Sequence, residues 1–128
     1  MNNFLLRSGA ILFVLAIIFG AFGAHALKDV VSEKALSSFE VGIRYQFYQA
    51  LAFLIIGFSK DKLSFNLRPI SIGMLLGISL FSTSIYLLAL KEILPFSVSF
   101  CGPITPIGGL ILIISWGFFI LKLYKKTI

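Results

Sequence analysis

Few side chains in this sequence could carry out chemistry. It has one histidine, His25, and one cysteine, Cys101, and its five acidic residues all lie outside the long apolar segments. Catalytic triads and metal sites need such groups in pairs or clusters. The sequence offers no second histidine, no carboxylate pair within an apolar segment, and no lysine after Gly108 and Gly109 to complete a phosphate-binding loop. We therefore expect no catalytic residues, no metal site, no cofactor and no enzymatic activity.

His25 lies within "GAFGAHALK", residues 20–28, where the first apolar run ends. A histidine at the end of a helix can pair with the last free carbonyl groups and interact favourably with the helix dipole. This capping role is the favoured interpretation. A proton-linked or ligand-binding role is the alternative, because histidine titrates near physiological pH.

Other polar side chains occur within or beside the apolar segments, where they are costly to bury without partners. They fall towards one end of each segment and form a predicted polar cluster of His25, Arg44, Tyr45, Gln46, Gln49, Ser82, Ser84, Tyr86 and Thr105. Ser79, Ser82 and Tyr86 are spaced i, i+3 and i+7, so they share one helix face. The favoured role of the cluster is hydrogen bonding between packed helices. The alternative is a helix interface at which these side chains also bind a ligand, a lipid headgroup or water.

Four apolar segments must position these residues, at about 6–25, 42–59, 70–91 and 105–122. Each is close to the ~20 residues that cross a bilayer core, where backbone groups must pair within a helix. The chain is 59% hydrophobic and only 12% charged, about half the charge of a soluble domain. The sequence therefore predicts an all-α integral membrane four-helix bundle, with residues 1–128 as a single transmembrane domain.

The segments between the spans carry helix-start signals. Ser32 is a predicted N-cap, and the apolar spacing that follows it predicts a short amphipathic helix on the outer surface over 29–41, with Gly42 as the bend into the second span. Residues 93–104 contain two prolines and a glycine and predict a loop. Thr105 and Pro106 then predict the start of the fourth helix, as N-cap and first-turn proline.

Small residues predict where the helices approach one another closely. Gly73 and Gly77 form a Gly-x-x-x-Gly pair, a spacing that favours close packing of membrane helices. The full set of predicted packing positions is Gly20, Gly23, Gly73, Gly77, Gly108 and Gly109.

Charge predicts the orientation of the bundle. With four spans, both termini and the 60–69 connection share one side, which carries seven Lys and Arg residues and one acid. The other side carries four Lys and Arg residues and four acidic residues. The positive-inside rule then predicts N-in and C-in. The basic residues lie in short pieces between apolar runs, which explains the net charge of +6 without nucleic-acid binding.

A cleaved signal peptide is the alternative for the first segment. Arg7 would form its basic region, and Ala24, His25 and Ala26 its cleavage site. The apolar stretch is long for a signal peptide, and cleavage would invert the charge distribution. A retained span is therefore favoured.

Several separated motifs resemble one family. "GAFGAHALK" at 20–28, Tyr45 with Gln46, "FSTSIY" at 81–86, "ITPIGG" at 104–109, and Trp116 are similar to the YgdD/YwdK-type family of small uncharacterised bacterial membrane proteins, which has a mammalian relative of similar size. The resemblance implies a four-helix membrane protein of unassigned biochemical role.

The chain departs from that family pattern at three positions. Gln49 replaces a usual histidine, and Thr83 and Ser115 replace usual glycines. The exchange at Gln49 argues against a two-histidine metal site or proton relay. A glutamine can still donate and accept hydrogen bonds, so a hydrogen-bonding role survives the exchange.

We expect a multi-pass protein of the bacterial cytoplasmic membrane that acts as a non-enzymatic accessory or assembly component. The alternative is a small binding or transport protein that uses the polar cluster to hold a lipid headgroup or small polar solute. The inner halves of the spans show no polar path, which argues against transport. The expected partners are the lipid bilayer and either a second copy or another membrane protein, with no nucleic acid.

The orientation predicts which side of the membrane each connection faces. In a chain with Cys101 replaced by Ala, a membrane-impermeant thiol reagent should label Ser38→Cys in intact cells. It should label Ser64→Cys only after the membrane is permeabilised. The reverse pattern would overturn the N-in, C-in prediction.

Overall fold

The computed structural model describes residues 1–127 and confirms the all-α, four-span prediction. Its helices are α1 (Asn3–Phe22), α2 (Glu33–Phe58), α3 (Arg68–Ala89) and α4 (Cys101–Thr127). The segment Gly23–Leu27 continues α1 as a π-helical turn, and Lys60–Lys62 form a 3-10 turn between α2 and α3. All four helices are long and apolar enough to cross a membrane.

The main helix contacts join neighbours along the chain: α1 packs on α2, α2 on α3, and α3 on α4. Two buried apolar clusters lie along these contacts. One includes Leu5, Phe53 and Met74, and the other, towards the opposite end of α1, includes Leu27 and Phe39. Large side chains on α1 and α4 remain exposed, as expected for helices that face lipid or another membrane protein.

The start of α2 confirms one local prediction and corrects another. Ser32 is the N-cap, and its side-chain oxygen accepts a 3.1 Å hydrogen bond from the backbone N–H of Ala35. Residues 33–41 form the first turns of α2 rather than a separate helix, and α2 continues without a break through Gly42. A Cβ at Gly42 would lie 2.7 Å from the ring of Tyr86. Gly42 is therefore a contact point with α3 rather than a bend.

The start of α4 differs from the prediction of an N-cap at Thr105. The helix begins at Cys101, and both Thr105 and Pro106 lie inside it. Pro103 fits this earlier start because the N–H groups of the first helical positions have no partner within the helix. The Thr105 hydroxyl instead forms a hydrogen bond with Ser84 of α3 at 2.6 Å. The predicted loop over 93–104 therefore ends at Phe100.

Glycines bring α3 and α4 together at backbone distance. A Cβ at Gly108 would lie 2.5 Å from the backbone nitrogen of Phe81, and one at Gly77 would lie 2.9 Å from that of Leu112. A Cβ at Gly73 would overlap the Ser115 hydroxyl. Such close approach is a usual route to tight helix packing in lipid, where apolar burial gives little drive for association.

The other predicted packing glycines lie in roomier places. A Cβ at Gly23 would lie 3.1 Å from the Phe39 ring, which would have to shift slightly. Gly20 and Gly109 have ordinary room, with nearest atoms at 3.9 and 3.6 Å. The tightest packing therefore lies between α3 and α4, rather than at the end of α1.

The adjacent glycines of α4 provide a matched test of this packing. We expect Gly108→Ala to lower the free energy of unfolding by about 1–3 kcal/mol, because the new methyl group overlaps the α3 backbone. Gly109→Ala should change it by less than about 0.5 kcal/mol. Unfolding of both variants in mixed micelles measures the difference. Equal effects would contradict the close approach of α3 and α4.

Candidate functional site

Gln46 joins three helices at the centre of the predicted polar cluster. This buried α2 side chain donates from Nε2 to the carbonyl oxygen of Leu12 on α1, at 2.8 Å. Its Oε1 accepts from the hydroxyl of Tyr86 on α3, at 2.6 Å. One amide therefore supplies a donor to one neighbouring helix and an acceptor to the other.

Three hydroxyl side chains extend this network across the helix pairs. Ser82 on α3 donates to the carbonyl oxygen of Gly42 on α2, at 2.9 Å. Ser84, also on α3, donates to the Phe81 carbonyl oxygen at 2.9 Å and shares a hydrogen bond with Thr105 of α4. The hydrogen-bonding groups of Ser82 and Ser84 are thus used within the protein, as expected for side chains that hold membrane helices together.

Gln49 and Trp116 form a further link, between α2 and α4. The indole Nε1 of Trp116 donates to Oε1 of Gln49 at 3.1 Å. The Gln49 side chain is 5% exposed, and its Nε2 is the buried side-chain polar atom left without a partner among the described residues. This amide nitrogen is therefore the one buried side-chain atom of the polar cluster that has no partner among the described residues.

The remaining members of the predicted cluster take no part in this hydrogen-bond network. His25, in the π-helical turn, and Arg44 and Tyr45, on α2, are exposed, and their side chains form no hydrogen bond or ion pair within the described residues. The structure therefore gives His25 no capping bond. Gly9 packs against Ala50, which places Gln49 beside the early part of α1. His25 follows Gly9 by 16 residues, or about 24 Å of helix, so His25 and Gln49 do not form a shared site.

Sequence reasoning missed two residues that matter here. Trp116 is part of the family motifs, but the sequence does not identify it as the partner of Gln49. A half-buried indole N–H usually needs an acceptor, which could have pointed to such a partner. Asn2 caps α1, since its Oδ1 accepts from the Leu5 N–H at 3.1 Å. Its own backbone N–H donates to the Gly57 carbonyl oxygen at 2.9 Å. The Asn2 cap could have been read from the sequence, because asparagine is a favoured N-cap residue.

An open groove lies beside the Gln49–Trp116 pair, and we call it the α2–α4 groove. Its volume is about 760 Å³, with walls from α2 and α4 and a floor from α3. Its lining residues are uncharged: Tyr45, Tyr48, Gln49, Ile78, Phe81, Gly109, Leu112, Ile113, Trp116, Gly117 and Ile120. No group of three or more potential metal ligands occurs among the described residues.

The four apolar helices and their buried interhelical hydrogen bonds define a multi-pass membrane protein. A family model described as "Protein of unknown function (DUF423)" matches residues 19–109, and the chain belongs to this family. This membership confirms the resemblance found in the sequence motifs.

Curated relatives extend the similarity over most of the chain. The UPF0382 membrane protein YwdK of Bacillus subtilis is 42% identical over 110 residues, which cover 84% of this chain and 85% of the relative. The UPF0382 membrane protein SH2409 of Staphylococcus haemolyticus is 38% identical over 117 residues, which cover 91% and 92%. No solved structure matches the chain.

The hydrogen bond between Tyr86 and Gln46 can be tested by removing one hydroxyl. We expect Tyr86→Phe to lower the free energy of unfolding by about 0.5–1.5 kcal/mol, because it leaves Oε1 of Gln46 without its donor. Tyr48→Phe is the matched control, because Tyr48 is exposed and its hydroxyl has no protein partner among the described residues. An unchanged free energy of unfolding for Tyr86→Phe would show that this hydrogen bond does not stabilise the fold.

Proposed function

We propose that the protein is a non-enzymatic accessory or assembly component of the bacterial cytoplasmic membrane. The observation that carries this proposal is the use of the intramembrane polar groups. Gln46, Ser82, Ser84 and Tyr86 bond to other helices or to backbone carbonyl groups. Groups committed in this way hold the helices together and are not available to a reacting substrate.

The exposed faces of α1 and α4 support a role beside another membrane protein. On α1 the exposed residues include Ile11, Val14 and Ile18, and on α4 they include Leu110, Ile114 and Leu121. The main contacts of each of these helices are with a single neighbour, α2 for α1 and α3 for α4. Their outer faces are therefore open to lipid or to a partner helix.

The proposed location and orientation rest on relatives and charge. The relatives named above are membrane proteins of Bacillus and Staphylococcus, which favours the cytoplasmic membrane of a bacterium. The excess of Lys and Arg on the side of both termini favours N-in and C-in.

Binding or transport through the predicted polar cluster has less support. A headgroup or solute would have to compete with the short bond between Tyr86 and Gln46. The two members best suited to hold an anion or a proton, Arg44 and His25, are exposed and take no part in that bond. The cluster therefore fits the packing of helices better than the binding of a polar solute.

The accessory role predicts a specific membrane partner. A photo-cross-linking amino acid at Ile11 on α1, or at Leu121 on α4, should trap one defined membrane protein in the native membrane. The same residue at Ser64, in the connection between α2 and α3, should not trap it. Native mass spectrometry of the purified complex should then give a fixed stoichiometry. Recovery of the chain only alone or with copies of itself would contradict the proposal.

A further inference from the structure

The α2–α4 groove has the features of a binding site for a neutral molecule. Four aromatic side chains lie along it: Tyr45, Tyr48, Phe81 and Trp116. Its other lining residues are aliphatic or glycine, apart from Gln49, and none is charged. Since an anionic headgroup would require a cationic partner, this lining suits an uncharged, mainly apolar ligand with a flat ring.

The Gln49 amide adds a specific polar requirement. The Trp116 indole can only donate, so the amide must turn Oε1 towards it, and this orientation fixes the position of Nε2. That nitrogen is buried and has no acceptor among the described residues. A buried donor without a partner costs about 1–3 kcal/mol. The arrangement therefore calls for a hydrogen-bond acceptor supplied from outside the protein.

The depth of Gln49 limits which acceptor can reach it. Gln49 precedes Lys60, the first charged residue after α2, by 11 positions, or about 16 Å along a helix. Gln49 also follows Arg44, the nearest charged residue before it on α2, by five positions, or about 7.5 Å along a helix. Gln49 therefore lies inside the ~30 Å bilayer core, nearer the Arg44 end of the span than the Lys60 end. Phospholipid ester groups stay at the edge of the core, beside their headgroups. An acceptor carried by a molecule that dissolves in the membrane interior reaches this depth without drawing a headgroup into the core, and the uncharged aromatic lining of the groove suits such a molecule.

We propose that the α2–α4 groove binds a neutral, planar, carbonyl-bearing molecule of the quinone class. Its carbonyl oxygen accepts from Nε2 of Gln49, its ring stacks against the aromatic wall, and its apolar tail follows Ile113 and Ile120 along α4. Nε2 has almost no accessible surface, so side-chain movement must open the last part of the path. Tyr48 lines the groove and is 64% exposed, so a change of its rotamer would not require the helix core to repack. This binding site is independent of the accessory role proposed above.

Gly117 leaves room for the ligand in the groove wall. A Cβ at this position would meet no atom within 4 Å, although Gly117 lines the groove. A large side chain at Gly117 can therefore fill the groove without displacing another part of the protein. Gly102 is equally unobstructed, lies on the same helix and is not among the groove residues. The two glycines form a matched pair for a steric test.

The test uses the full chain in detergent micelles and menaquinone-4 as the probe. Trp116 is the only tryptophan, and Gln46 and Gln49 are the only glutamines. Saturable quenching of the tryptophan fluorescence should therefore report binding in the groove. In NMR spectra the side-chain amide of Gln49 should shift on titration, and that of Gln46 should not. A naphthalene with the same tail but no carbonyl groups should bind about tenfold more weakly.

Three variants distinguish the proposed site from simple partitioning of the probe into the micelle. Gly117→Leu should weaken binding at least tenfold, whereas Gly102→Leu should leave it unchanged. Gln49→Leu should weaken it about tenfold, as expected for the loss of one buried hydrogen bond. Because Gln49→Leu also removes the acceptor of Trp116, its helix content and unfolding should be compared with those of the parent chain. The Gly117 result keeps the test valid if Gln49→Leu does not fold.

Several results would overturn the proposal. Quenching that does not saturate, or that is the same in Gly117→Leu and Gly102→Leu, would show that the probe only partitions into the micelle. Equal binding of the naphthalene would show an apolar groove with no role for the carbonyl. A dimer of the parent chain that Gly117→Leu disrupts would show instead that a second copy occupies the groove.

Discussion

The amide of one buried side chain, Gln46, holds three of the four helices in register. Water drives apolar helix faces together in a soluble protein, but a bilayer core supplies no such force, because lipid tails are as apolar as leucine. Specific hydrogen bonds and close packing must therefore replace it. Gln46 contributes a donor to Leu12 and an acceptor to Tyr86, so it fixes α1 and α3 against α2 at a single level.

The same constraint explains how α4 is attached. Gly77 and Gly108 bring the backbones of α3 and α4 into contact, which increases dispersion attraction without any need for water. The hydrogen bond between Ser84 and Thr105 joins the two helices near the C-terminal end of α3. Trp116 then reaches across to α2. Because α4 is tied to α2 mainly through this side chain, the α2–α4 groove stays open between the two helices.

The sequence predicts features that depend on one segment alone. Apolar length identifies the four spans, and the Ser32 cap follows from local chemistry. The sequence predicts too late a start for α4, because Pro106 and Pro103 are both acceptable near a helix start and only tertiary contacts select between them. The partners of Gln46 and Gln49 depend on how far each helix is rotated about its axis. The hydrophobic pattern does not determine that rotation when most of a helix faces lipid. The sequence therefore predicts that these polar residues lie in one cluster, but not which of them form hydrogen bonds with one another.

The most direct test of this account is a double-mutant cycle between Gln46 and Tyr86. Unfolding free energies of the parent chain, Gln46→Leu, Tyr86→Phe and the double variant give the coupling between the two side chains. The account predicts a favourable coupling of about 0.5–1.5 kcal/mol, because each single variant leaves the other partner unpaired. Additive single effects, with a coupling near zero, would contradict the role assigned to Gln46.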